Sequence, residues 1–226
     1  MQSIYSCSPR GYQCYIIPHI LRMMANVIPC EPVLLVQATG SGKSAVPLTC
    51  AVVDGGISVI VENTLSLGSD QTSKVNANAS QAQKHVKSYQ LDMYKTIQHQ
   101  EELAESIIIH CQGNNNTSII LFTSPETLLK PTWLKFISNV IELNILRLFC
   151  IDKAHLFIDF GISFRSSFQS LKDKVIHQLT KPDGSMIVPL ILMTATFNLE
   201  LMSLIKVMLG IEIKSTNVSW GITSSF

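Results

Sequence analysis

Gln37-Ala38-Thr39-Gly40-Ser41-Gly42-Lys43-Ser44 packs two glycines, a lysine and several hydroxyls into one short run. It matches G-x-x-x-x-G-K-[ST] except that Gln37 stands at the first glycine. That spacing suits phosphate. Glycines let backbone N–H groups turn inward around phosphate oxygens, and the start of the following helix adds the positive end of its dipole. Thr39, Gly40, Ser41 and Gly42 would form the cradle, Lys43 would reach the β- and γ-phosphates, and Ser44 would offer its hydroxyl to Mg2+. A glycine-rich turn carrying Lys-Ser by chance is the plain alternative. The apolar run before it and the helical pattern after it argue against that.

A phosphate-bound metal needs an acid nearby. Leu146-Arg147-Leu148-Phe149-Cys150-Ile151-Asp152 ends an apolar run on an aspartate, and Asp152 would hold Mg2+ directly or through water. The elements behind these groups follow from the apolar runs Val33–Val36, Ile57–Val61, Ile119–Phe122, Leu146–Ile151 and Ile187–Met193. Such continuous runs mark strands covered on both faces of a parallel sheet. Helical patterns are read between them, at about 43–53, 82–107, 125–142, 164–180 and 198–209. The alternation predicts an α/β fold, a three-layer parallel sheet with helices on both faces. Polar clusters (Thr39–Ser44, Glu62–Gln71, Thr123–Glu126, Asp152–His155, Thr194–Thr196) all follow a strand's C-terminal end, where open α/β sheets bind ligands.

Composition sets the outer limits. The chain has 226 residues, 46% of them apolar, 15% charged, with a net charge of +1. This is the profile of a folded domain and not of a disordered segment. The near-neutral balance excludes a long basic arm but leaves room for a local groove that follows a nucleic-acid backbone. Six cysteines show no C-x-x-C pair, so they are expected to be reduced and mostly buried thiols. No apolar run approaches the roughly 18 residues of a membrane span, and no secretory leader is read at the N-terminus. An intracellular setting without a membrane is the expectation.

With these motifs in order, the chain resembles the first RecA-like domain of a superfamily-two helicase, a P-loop NTPase, and within that group the RecQ family. Arg10-Gly11-Tyr12-Gln13 resembles the family's adenine-reading motif, and Ala38–Ser44 resembles motif I. Ser66, Leu67, Asp70 and Gln71 keep the pattern of motif Ia, and Thr123-Ser124-Pro125-Glu126 resembles the S-P-E motif. Asp152-Lys153-Ala154-His155 stands where the family has D-E-A-H. Phe157 to Arg165 resembles the aromatic-rich loop, and Thr194-Ala195-Thr196 resembles motif III. The resemblance implies ATP and Mg2+ as cofactors, with Arg10 and Gln13 at the base and Lys43, Asp152 and His155 as the catalytic set. It implies single-stranded DNA as partner, coupled to the nucleotide through Ser66, Asp70, Gln71, Ser124, Pro125, Glu126, Phe160, Phe164, Arg165, Thr194 and Thr196. The family activity is ATP-dependent 3′–5′ DNA unwinding, and a nuclear setting goes with it.

The chain departs from that pattern. Lys153 replaces the family's second acid, the group that activates the attacking water, and losing a general base costs on the order of 10²–10⁴-fold in rate. Phe160, Ile162 and Ser163 stand where the aromatic loop usually has Trp, His and Asp. Stacking through Phe160 or Phe164 would be worth roughly 1–3 kcal/mol per base. The family's second RecA-like domain is missing from this chain, which is therefore expected to be a fragment or a degenerate copy with impaired hydrolysis. The expected layout is an N-terminal segment over 1–30, a RecA-like ATP-binding domain over 31–214 and a frayed Ser/Thr-rich tail over 215–226. A basic face from Lys84, Lys87 and Lys95 is read either as a solvated helix face or as a backbone-binding one. A non-catalytic interaction module that keeps the helicase fold is the competing expectation. An unrelated small-molecule kinase is disfavoured, because no Arg-rich lid segment is present.

Overall fold

The computed structural model describes residues 8–62, 71–73, 75–77, 85–113, 117–154, 167, 169–197 and 199–220. Seven strands form one sheet: β1 (Pro32–Val36), β2 (Gly56–Val61), β3 (Val86–Gln90), β4 (Ser118–Thr123), β5 (Leu146–Ile151), β6 (Leu190–Thr194) and β7 (Val218–Trp220). Their order is β3-β4-β2-β5-β6-β1-β7, and each pairing is parallel. All C-terminal ends therefore share one edge. Every residue of β1, β4 and β6 is buried. Alternate residues of a strand face opposite ways, so both faces of the sheet are covered, as a parallel sheet requires.

The covering helices bury apolar stripes at helical spacing. Helix α1 (Gly11–Met24) turns Gln13, Ile16, Ile17, Ile20, Met23 and Met24 inward. It packs beside α2 (Ala45–Asp54), so part of the stretch read as a separate segment over 1–30 belongs to the core of the domain. Helix α3 (Ile97–Gly113) buries Leu103, Ala104 and Ile107. Helix α5 (Pro131–Glu142) buries Trp133, Phe136, Ile137 and Val140, with the Trp133 and Phe136 rings edge to face at 5.8 Å. A short α4 (Pro125–Leu128) precedes it. In α6, α-helical residues 169–171 lead into a π turn at Lys172–Ile176, and the helix ends in α form at His177–Leu179; α7 spans Leu199–Leu209. Among the described cysteines Cys30, Cys50, Cys111 and Cys150 are buried free thiols and Cys14 is exposed. Burial pushes the Cys50 thiol up to about 12.

Three sequence expectations need correction. The single helix read over 82–107 is a strand, a 3-10 turn at Leu91–Met93 and then α3. Val-Lys-Ser-Tyr-Gln is too polar to resemble the other strands because β3 is an edge strand, paired only with β4. Lys87 and Lys95 consequently do not share a helix face, and Lys87 Nζ lies 3.1 Å from His110 Nε2. The helix read over 125–142 is interrupted ahead of Pro131, where Lys130 is extended at ψ 146, because a residue before proline is pushed out of the helical region. The tail expected to fray from 215 instead forms a 3-10 turn (Ser215–Asn217) and β7 on the edge of β1. Glu31 anchors it by accepting hydrogen bonds from Lys214 Nζ and from Asn217 Nδ2.

One backbone position is tightly constrained. Gly56 opens β2 at φ +68, and a Cβ there would lie 2.6 Å from Arg147 Cγ and 2.8 Å from the Ile145 carbonyl oxygen. Positive φ and a backbone clash together should make Gly56→Ala cost about 1–3 kcal/mol, read as a lowered midpoint in urea unfolding with an unchanged slope.

Candidate nucleotide and nucleic-acid site

The phosphate loop leaves β1 and enters α2 at the common edge. Gly40 and Gly42 take φ +76 and +80, a region glycine enters without steric cost. Turn bonds Ser41 N–H to Ala38 O and Ala45 N–H to Gly42 O hold the bend. Ser44 caps α2. Thr39 and Gly40 are exposed, and Lys43 and Ser44 are half-buried.

The start of α1 grips this loop from outside. Arg10 Nη2 donates to the Gly40 carbonyl at 3.2 Å, Tyr12 Oη to the Ser41 carbonyl at 3.0 Å, and Gln13 Nε2 to the Gly42 carbonyl at 2.9 Å. Consecutive carbonyls are thus held by consecutive parts of one short motif. These three carbonyls are thereby fixed against the start of α1. The Gln13 side chain is buried, and its Oε1 accepts from the Arg10 N–H at 2.8 Å. The sequence expects Arg10 and Gln13 at the adenine; Tyr12 between them gains a partner only through the fold, in the Ser41 carbonyl.

At the centre of the edge, β6 ties two loops together. The Thr194 carbonyl accepts from Gln37 N–H at 3.0 Å, and the Met193 carbonyl accepts from Ala154 N–H at 2.8 Å. The phosphate loop and the acidic loop after β5 therefore hang from neighbouring carbonyls of one strand. Thr194 is fully buried, and its hydroxyl donates to the Thr196 carbonyl at 2.7 Å and accepts from Thr196 N–H at 3.2 Å. Thr196 itself is exposed.

Asp152 is buried. Its N–H donates to the Val61 carbonyl at 2.9 Å, and its Oδ1 accepts from Lys153 N–H at 2.8 Å. Lys153 sits in the left-handed region at φ +58, uncommon for a long side chain and typical of constrained functional turns. Glu62 follows β2 on the neighbouring strand. It is only 4% exposed, and its Oε2 is among the buried oxygens without a hydrogen-bond partner. Burial, and then the Asp152 charge, push its carboxyl from the ordinary 4.5 up to about 8, against a downward pull from Lys153.

That shift has a sign. A carboxyl raised in the folded state favours folding while it stays protonated, and this contribution is lost as pH rises from 4.5 through about 8. In metal-free buffer Glu62→Gln should therefore be more stable than the native chain by about 1–3 kcal/mol near neutral pH. The gap should widen between pH 4.5 and about 8, as read by denaturant melts across that range. Equal stabilities at pH 8 would refute it.

A further corner is built around Asp92. It is buried just after β3 and accepts four hydrogen bonds: from Ser124 N–H at 2.9 Å, from the Ser124 hydroxyl, from Thr127 Oγ1 at 2.6 Å and from Gln90 Nε2 at 3.0 Å. This fixes Ser124 as the cap of α4, with Ser124 Oγ also accepting from Thr127 N–H. Pro125 is then buried and Glu126 points to solvent. Asp92 escaped notice because the stretch around it was read as helix. Gln71 is half-buried within a short helical turn over 71–73. Ser66, Asp70, His155, Phe160, Phe164 and Arg165 lie outside the described residues.

The fold and this edge define an α/β domain with a parallel sheet and a glycine-rich loop between its first strand and the following helix. A family model described as DEAD/DEAH box helicase matches residues 10–204, and the chain belongs to that family. Its relatives are RecQ-type helicases. It is 27% identical over 199 residues to ATP-dependent DNA helicase Q-like 5 of Arabidopsis thaliana, covering 88% of this chain and 19% of that protein. It is 25% identical over 141 residues to ATP-dependent DNA helicase RecQ of Haemophilus influenzae, covering 62% of this chain and 20% of that protein. The chain thus spans about a fifth of the length of these relatives. The crystal structure of the DUF1998 helicase MrfA bound to DNA and AMPPNP superposes with a TM-score of 0.60 at 15% identity, over 93% of this chain and 27% of that one. At that identity the likeness speaks for the fold.

Proposed function

We propose that this chain is the ATP-binding RecA-like domain of a RecQ-like, ATP-dependent DNA helicase, and that it grips the nucleotide far better than it hydrolyses it. The observation that carries the reading is the phosphate loop held through three successive carbonyls by Arg10, Tyr12 and Gln13, with Asp152 bonded to the neighbouring strand end. Bound Mg2+ would neutralise charge on the phosphates, and Ser44 and Asp152 would hold it. Lys43 contributes a point charge to the β- and γ-phosphates. Lys153 sets an ammonium, instead of a carboxylate base, at the strand end where water would be activated. That favours phosphate binding and disfavours proton removal. The DNA named in the MrfA crystal structure supports nucleic acid as partner here, carried across the edge that the Asp92–Ser124 corner shapes.

Titration of a fluorescent ATP analogue with Mg2+ into the purified chain tests this directly. Saturable binding that unlabelled ATP displaces is the expected result. A single-stranded oligonucleotide should bind with higher affinity in the presence of a nonhydrolysable analogue. A chain that shows no saturable nucleotide binding overturns the reading.

A further inference from the structure

We propose that Glu62 is a second carboxylate of the divalent-cation site, acting with Asp152 from the neighbouring strand. The inference rests on the nucleotide-site reading and extends it to Glu62, which heads the Glu62–Gln71 cluster but is not among the residues that keep the motif Ia pattern. Glu62, Asp92 and Asp152 are the buried acidic residues among those described. Asp92 accounts for its burial, because donors surround both of its oxygens. Glu62 does not: it is 4% exposed and Oε2 has no partner. An unmatched buried carboxylate is costly, and charged side chains are rarely buried unless they are paired or bind a metal.

Its place in the sheet says what it could serve. Strands β2 and β5 are neighbours in register up to Val61 and Ile151, so Glu62 and Asp152 are the next residues past the paired strands, with Asp152 N–H bonded to the Val61 carbonyl. Glu62 adds a second acidic oxygen donor to this strand end, the ligand type that hard divalent cations take. Among the described residues no group of three acidic, His or Cys side chains converges to hold a metal unaided. A Mg2+ ion takes one or two carboxylates, with substrate phosphates and water for the rest of its shell.

Mn2+ is the probe, followed by the loss of the free-ion paramagnetic resonance signal, with the full chain and a nonhydrolysable ATP analogue present. Glu62→Gln should weaken Mn2+ binding by about 10- to 100-fold, and Asp152→Asn by at least as much. Nucleotide affinity measured in EDTA should stay within about twofold for Glu62→Gln. Circular dichroism melts check that the variant is folded. Unchanged Mn2+ affinity in Glu62→Gln, with Asp152→Asn impaired, overturns the proposal while leaving the nucleotide site intact. If the native chain binds no nucleotide, the functional reading fails instead. Mn2+ titration of the free chain then decides: a site lost in both variants upholds the carboxylate pair, and no site at all overturns it.

Discussion

Lys43→Ala should lower Mg-ATP affinity by roughly 30- to 1000-fold, the 2–4 kcal/mol that removing one partner of a desolvated charge pair commonly costs. Lys43 sits half-buried within the second turn of the phosphate loop, which runs from Gly42 to Ala45. Its ammonium is the mobile cation of a loop whose other contributions are fixed backbone dipoles. The loop itself should survive the change. Its bends rest on Gly40, Gly42 and the turn bonds, and its carbonyls rest on Arg10, Tyr12 and Gln13. Unfolding without ligand should accordingly stay within about 0.5 kcal/mol of the native chain, as for an ordinary surface substitution. Saturating Mg-ATP should raise the melting temperature of the native chain and leave that of Lys43→Ala nearly unchanged, because a ligand stabilises only in proportion to its binding. A variant that melts early without nucleotide would show instead that Lys43 holds the loop together.

How much of this was legible depends on what each element buries. The central strands announced themselves: β1, β4 and β6 are apolar at every or nearly every position because both faces are covered. The two edge strands were missed for the converse reason. Val86–Gln90 puts Lys87 in solvent and buries Ser88 and Gln90 against polar partners. Ser88, for example, bonds with Asn76 and with the Thr72 carbonyl. No hydrophobic period survives such a pattern. Strand β7 has three residues in a Ser/Thr-rich stretch, and what orders it is an ion pair to Glu31, far away in sequence.

The site divides along a similar line. The phosphate loop and Asp152 are local motifs, where type and spacing already state the chemistry. Tyr12, Glu62 and Asp92 act through partners that only the fold brings near. Tyr12 and Ser41 are joined across α1 and the loop. Glu62 meets Asp152 because β2 and β5 are neighbours in the sheet, not in the chain. A buried acid carries no mark in the sequence that separates it from an exposed one.

Asp92→Ala carries the largest expected loss of stability, about 2–4 kcal/mol, because it strands several buried donors at once. Ser124 N–H, Ser124 Oγ, Thr127 Oγ1 and Gln90 Nε2 all aim at this carboxylate, and alanine offers none of them an acceptor. Urea unfolding should show a lower midpoint with an unchanged slope, since the native fold remains and only its free energy moves. Asp92→Asn keeps the shape and one acceptor oxygen but turns an NH2 toward groups that are themselves donors, so it should recover less than half of the loss. The effect should reach function by position. Ser124 caps α4 and presents Pro125 and Glu126 at the strand edge, so a loosened cap should weaken single-stranded oligonucleotide binding several-fold. ATP affinity should hardly change, because β2 and β5 separate β4 from β6 and β1, which carry the phosphate-loop side of the sheet. A variant that lost less than about 1 kcal/mol would mean that water satisfies these donors as well as the carboxylate does. The corner would then be held by the packing of Pro125 and Leu128 and not by charge.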